Sequence, residues 1–177
     1  MNITHTPLAD CFVIEPQVFG DSRGSFMESY NEQKFPANVH FVQDNQSISQ
    51  KGVLRGLHFQ KGAHAQAKLV RVIRGEVLDV AVDIRPDSKT FGQHFSIILN
   101  AENNKQLFVP RGFAHGFAVL QDDTIFAYKC DNFYNKEAES GIIYNDPDIA
   151  VDWMLQENEI ILSDKDKLLS NLKSLSL

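Results

Sequence analysis

Between residues 69 and 130 the chain alternates short runs of β-branched and aromatic residues with clusters of turn formers. The runs cover 69–73, 77–84, 94–99, 106–109, 116–120 and 124–130. Asn100 to Asn104, Pro110-Arg111-Gly112 and Gln121-Asp122-Asp123 punctuate them. Strands this short and closely spaced predict a mainly β sandwich or barrel, with the turn residues supplying backbone angles that branched residues resist. Successive side chains on a strand point to opposite sides. Leu78, Val80, Val82 and Ile84 therefore share one face, and Val77, Asp79, Ala81 and Asp83 the other. Arg74-Gly75-Glu76, between the first two runs, predicts a hairpin.

Helical spacing is scarce. Ser163-Asp164-Lys165-Asp166 resembles a capping box, and Leu168, Leu169, Leu172 and Leu175 follow at helical intervals, predicting a short C-terminal helix. The N-terminal third offers extended segments at Phe12-Val13-Ile14 and Phe26-Met27-Glu28-Ser29-Tyr30. They are joined through the loop Gly20-Asp21-Ser22-Arg23-Gly24. This arm has little core of its own, so a sheet edge, its own or that of a second subunit, is its expected place.

With 177 residues, 43% of them hydrophobic, the chain suits one domain over 1–177, and no repeat or linker divides it. The formal charge of −6 argues against a nucleic-acid partner, which would call for a basic stripe. An anionic ligand would have to meet a local cluster of Arg and Lys. No apolar run is long enough to span a membrane, and the start Met1 to Pro7 lacks a basic region followed by an apolar block. Cys11 and Cys130 have no metal-ligand spacing and read as reduced, partly buried thiols. A cytoplasmic protein is expected.

The segment Arg55-Gly56-Leu57-His58-Phe59-Gln60, followed by Lys68, groups a base with two cations. Strand alternation sets His58 opposite Leu57 and Phe59, outside the apolar stripe, and Arg55 is near enough to line the same cavity. A neutral imidazole suits proton abstraction near pH 7, although a lone histidine in a β protein is commonly a hydrogen-bonded structural residue. Tyr128 is either a half-buried aromatic or a phenol that donates a proton when an anion forms beside it. Phe133-Tyr134 either anchors a turn or offers a flat surface to a base. Arg23, Arg55 and Lys68 would suit a pyrophosphate, and Gln43-Asp44-Asn45 the imide edge of a pyrimidine. No glycine-rich phosphate loop is present.

A metal is not expected. Pro110-Arg111-Gly112-Phe113-Ala114-His115 resembles the second half of a metal-binding cupin site. The first half would need His-x-His, and here it is His58-Phe59-Gln60; Glu76 and His64 are poor substitutes. One imidazole from each half is too few for a transition metal.

Taken together, these motifs resemble the dTDP-4-dehydrorhamnose 3,5-epimerase family, metal-free cupins that act on nucleotide-linked keto sugars. The resemblance runs from about Phe19 to Asp166. It rests on 20–28, Gln43-Asp44-Asn45, 53–60, 66–70, Gly75-Glu76-Val77, Pro110 to His115, Tyr128-Lys129 and 162–166. It implies a cupin-type jelly roll, no cofactor, and a dTDP-linked 4-keto-6-deoxyhexose inverted at carbons 3 and 5 through an enolate. It also implies a homodimer that exchanges N-terminal strands.

By the same resemblance His58 is the general base, Asp166 its orienting carboxylate, Tyr128 the acid on the opposite face and Lys68 the cation beside the enolate. Arg23, Glu28, Gln43, Asp44, Asn45, Arg55, His115, Glu139 and Lys165 match nucleotide and substrate contacts. Tyr134 matches the ring that stacks on thymine, with Phe26 a second candidate. Arg23 and Glu28 would come from the partner subunit. Arg111 departs from the small or acidic residue expected after that proline. An enzyme inverting one carbon, a ketoisomerase and a non-enzymatic sugar-binding cupin remain as alternatives.

Overall fold

Most of the runs become strands within a few residues of their expected limits, and the computed structural model describes residues 1–175. Six strands make one antiparallel sheet: β1 (Asn2–His5), β2 (Phe12–Glu15), β5 (Gln43–Ser49), β7 (Lys68–Arg74), β10 (Gln106–Val109) and β12 (Thr124–Cys130). Their order is β1-β2-β10-β7-β12-β5. Five more make the second sheet: β6 (Leu54–Gln60), β8 (Glu76–Asp83), β9 (His94–Asn100), β11 (Phe113–Val119) and β13 (Glu139–Gly141). Their order is β13-β6-β11-β8-β9. A separate hairpin pairs β3 (Val18–Asp21) with β4 (Gly24–Met27). The result is the expected mainly β, cupin-type sandwich, and none of the helices among the described residues is long and apolar enough to cross a membrane.

Alternation along β8 decides how the layers are glued. Val77 and Ala81 pack with Val70, Val72, Leu107, Phe117 and Phe126 between the sheets. Leu78, Val80 and Val82 face the other way, against Leu57, Ile149, Trp153 and Leu172, so the C-terminal third covers the outer face of the five-stranded sheet. On the far side Phe12, Ile14, Leu69 and Phe108 are covered by Tyr30, Phe35, Val39 and Phe41. Each fully buried side chain of this kind stabilises the fold by roughly 1.5–3 kcal/mol relative to exposure.

Three expectations change. Arg74-Gly75-Glu76 is a corner rather than a hairpin: β7 and β8 belong to different sheets. Gly75 has φ 81°, and a Cβ there would lie 2.2 Å from Thr124 Oγ1, so the chain crosses where only glycine fits. The C-terminal helix is two 3₁₀ turns, Asp166–Leu168 and Leu172–Ser174, separated by an extended Leu169. Ser163 does cap as expected, its Oγ accepting from the Asp166 N–H at 3.1 Å. Finally, Phe12, Val13 and Ile14 are core residues of the six-stranded sheet. Only the β3–β4 hairpin stands apart as an arm, with Phe19 and Phe26 exposed.

Candidate active site

His58 and His115 are cross-strand partners where β6 meets β11. Facing them from the opposite sheet are Lys68 on β7 and Tyr128 on β12, and next to Tyr128 lies Asn45 on the edge strand β5. His58, His115, Lys68 and Tyr128 line a cavity of about 520 Å³ together with Arg55, Ser163, Lys165 and Asp166. Its floor is apolar: the Phe117 and Phe126 rings stack 4.0 Å apart. A more polar recess of about 340 Å³ shares His58, Lys68 and Tyr128 and adds Gln43, Asn45, Gln60, Tyr134 and Glu139. Strand alternation thus gathers groups from both sheets and the C-terminal segment at one end of the sandwich.

His58 Nε2 lies 2.6 Å from Asp166 Oδ1. The carboxylate is buried, which pushes its pKa up, but hydrogen bonds from His58 and Ser163 prevail and hold it below the ordinary range. An ionised Asp166 only accepts, so Nε2 carries the hydrogen and Nδ1 is left for a ligand. Burial raises the pKa of Tyr128, against a partial offset from Arg55, and keeps the phenol protonated at neutral pH. Burial lowers that of Lys68, opposed by nearby Asp79 and Glu139. The Lys68 ammonium sits 5.9 Å from the centre of the Tyr128 ring. Arg55 donates from Nη2 to Ser49 Oγ at 3.3 Å.

The rim of the recess is a chain of contacts. Tyr134 donates its hydroxyl hydrogen to Glu139 at 2.8 Å and its backbone N–H to Gln43 Oε1 at 3.1 Å. Gln43 Nε2 donates to Asn45 Oδ1 at 3.1 Å, and Glu139 forms an ion pair with Lys165. The Tyr134 ring is left half exposed, a flat surface at the mouth.

Not every expected residue is brought here. Asp44 points to the other side of β5, where it pairs with Lys129 at 2.7 Å; alternation places it opposite Gln43 and Asn45. Arg23, Phe26 and Glu28 sit on or next to the β3–β4 hairpin and do not line their own chain's cavity. Arg23 pairs with Asp21, Glu28 with Lys34 at 2.9 Å, and Phe26 is 70% exposed. Arg111 donates to Asp131 at 2.7 Å, away from the cavity, so its departure from pattern leaves the lining unchanged.

Other residues were missed by sequence reasoning. Asp79, 0% exposed, holds His115; Gln60 accepts the Asn135 N–H at 3.0 Å and so fixes the loop that carries Tyr134. For Asp79 the available signal was a carboxylate flanked on its strand face by Val77 and Ala81. No three His, Cys, Asp or Glu side chains among the described residues are grouped to hold an ion.

A model of the dTDP-4-dehydrorhamnose 3,5-epimerase family matches residues 5–174. The chain belongs to this family. It is 51% identical over 179 aligned positions to the dTDP-4-dehydrorhamnose 3,5-epimerase of Escherichia coli, covering 99% of this chain and 96% of that one. A crystal structure of a dTDP-4-dehydrorhamnose 3,5-epimerase from Elizabethkingia anophelis is similar with TM-score 0.94 and 56% identity, covering 98% of this chain and 97% of that chain. A dTDP-6-deoxy-D-glucose-3,5-epimerase from Legionella pneumophila, solved with dTDP-4-keto-L-rhamnose, also gives TM-score 0.94, at 49% identity. That match covers 99% of this chain and 94% of the other. The family's printed activity, an epimerisation at two sugar carbons, matches the acid–base groups that converge on the cavity.

Proposed function

We propose that the protein inverts carbons 3 and 5 of dTDP-4-dehydro-6-deoxy-D-glucose, giving dTDP-4-dehydro-β-L-rhamnose for dTDP-rhamnose biosynthesis. The observation that carries this reading is the convergence of the His58–Asp166 pair, Lys68 and Tyr128 on one cavity. The names of its relatives support the same reaction.

A carbonyl at carbon 4 acidifies the hydrogens on carbons 3 and 5. His58 takes one through Nδ1, and Asp166 stabilises the imidazolium that results. The electron pair of the broken C–H bond becomes the C=C bond of an enolate, whose oxygen is steadied by the Lys68 ammonium. Tyr128 then delivers its phenolic proton to the opposite face, inverting that carbon. His58 returns its proton to solvent and Tyr128 regains one before the second carbon is treated alike. No electrons are gained or lost overall, so no redox partner enters.

In this reading Tyr134 stacks on the thymine, Gln43 and Asn45 meet its imide edge, and Arg55 and Lys165 meet the pyrophosphate. His115 contacts the sugar, while Glu139 sets the recess rim. Arg23, Phe26 and Glu28 reach the site of a second copy in a homodimer that exchanges its hairpins, which accounts for their distance from their own cavity. The protein works in the cytoplasm as one domain over 1–177. Incubation with the 4-keto substrate and assignment of product stereochemistry by proton coupling constants tests this directly. Inversion at both carbons supports it; inversion at one identifies a single-carbon epimerase.

A further inference from the structure

Two carboxylates lie on the interior face of β8, and their surroundings differ. Asp83 gathers the Arg85 guanidinium, Ser88 and Thr90, all within 2.6–2.9 Å. Asp79 is equally inaccessible at 0% exposure. Among the described residues its side chain has one hydrogen-bond partner, His115 Nε2, which lies 2.9 Å from Oδ2 and 3.1 Å from Oδ1. A buried anion supported by a single neutral donor is costly, whereas an imidazolium in that place balances its charge. Asp83 is built as a structural knot; Asp79 is built around one ring.

That ring is at the reaction centre. His115 lines the cavity beside His58 and Lys68, and lies near-parallel to Phe126 with centroids 6.2 Å apart. With Nε2 committed to Asp79, Nδ1 has no hydrogen-bond partner among the described residues. The charge of Asp79 also reaches Lys68, opposing the effect of burial on that ammonium.

We propose that Asp79 is a positioning residue for the reaction: it holds His115 with both ring nitrogens protonated, so that Nδ1–H meets the sugar's carbonyl oxygen beside Lys68. This rests on the enolisation described above. When His58 removes the carbon-bound proton, the carbonyl π pair moves onto oxygen. That oxygen accepts hydrogen bonds from His115 and Lys68, and no proton has to leave His115. The arrangement makes His115 a second electrophilic contact rather than a second base.

The test uses the full-length protein and Asp79→Asn, with ¹⁵N NMR of His115 in the wild type as a measurement independent of the variant. Expected results are a doubly protonated His115 ring in the wild type and a kcat lowered about 10- to 100-fold in the variant. Affinity for dTDP, which has no sugar carbonyl, should stay within about twofold because the lost interaction is confined to the sugar site. A neutral His115 ring in the wild type overturns the proposal. So does an unchanged kcat in the variant, or an equal loss of dTDP affinity, which would mark a purely structural role. If the wild type itself exchanges no sugar protons, the enolisation reading fails instead, and the two failures are distinct.

Discussion

Nε2 of His58 lies 2.6 Å from Oδ1 of Asp166, tying β6 to the C-terminal segment across 108 positions of chain. The proposed base and the closing of the fold therefore share a contact. Asp166 is 3% exposed, and its backbone N–H is capped by Ser163. The carboxylate has little freedom to turn away, so the tautomer of His58 is set in advance of substrate.

Asp166→Asn keeps the shape but offers His58 either an acceptor or a donor, and removes the charge that stabilises imidazolium. We expect kcat to fall about 100-fold with KM within threefold, since positioning partners act through the base rather than on the ground-state complex. Steady-state kinetics on the variant measure this; an unchanged kcat would mean that Asp166 only closes the fold.

Tyr128→Phe should separate the two halves of the reaction. His58 can still remove a proton, but the opposite-face donor is gone. Solvent deuterium should then enter the sugar with retained configuration while inversion slows by roughly 10²- to 10⁴-fold. Inversion at the wild-type rate would assign the acid to another group.

The proposed exchange of hairpins in a homodimer predicts complementation. His58→Ala and Arg23→Ala proteins, each nearly inactive alone, should regain about a quarter of wild-type activity once mixed and re-equilibrated. Half of the dimers would be mixed, and each mixed dimer would have one site with both residues intact. No recovery in a mixture shown to contain mixed dimers would place Arg23 in its own subunit's site.

Acid should unfold the protein through its buried carboxylates. Burial alone would raise the Asp83 pKa, but hydrogen bonds from Arg85, Ser88 and Thr90 hold it down at about 2, below the ordinary 3.8. A folded-state pKa below the unfolded value gives stability that is full above the unfolded value and lost as the pH falls through the folded one. Denaturant midpoints followed by Trp153 fluorescence should therefore drop between pH 4 and pH 2. Asp83→Asn should lower the neutral-pH midpoint and flatten this acid limb. An acid limb as steep as the wild type's in that variant would move the origin to other groups.

Gly75→Ala tests the corner between the sheets. The positive φ and the collision with Thr124 together should cost about 2–4 kcal/mol in urea unfolding, the sum of backbone strain and overpacking. A change below 0.5 kcal/mol would show that the corner relaxes freely, since surface-like substitutions fall in that range.

Strands and their buried faces were legible because a period of two is a local property, and β8 sends Val77 and Ala81 to one core and Leu78, Val80 and Val82 to the other. The destination of a strand is not local. Gly75 announces a sharp turn, but whether β8 returns beside β7 or crosses to the other sheet depends on which partners, β12 and β11, lie on either side. The leucines after Ser163 have helical spacing, yet Leu172 is needed under the five-stranded sheet, so the segment breaks at Leu169 while Leu168 stays 84% exposed. At the site, His58, Lys68 and Tyr128 were recognisable from motif and residue type. Asp79 was not, because its meaning comes from a cross-strand neighbour 36 positions away. Asp44 was misplaced because membership in a motif carries no information about which side of the strand a residue faces.

The most direct measurement follows carbons 3 and 5 of dTDP-4-dehydro-6-deoxy-D-glucose by NMR in heavy water, with wild-type protein and with His58→Ala. The wild type should place deuterium at both carbons as they invert. The variant should place it at neither while still binding dTDP. Full exchange in the His58 variant, or none in the wild type, would contradict an enolate formed by that imidazole.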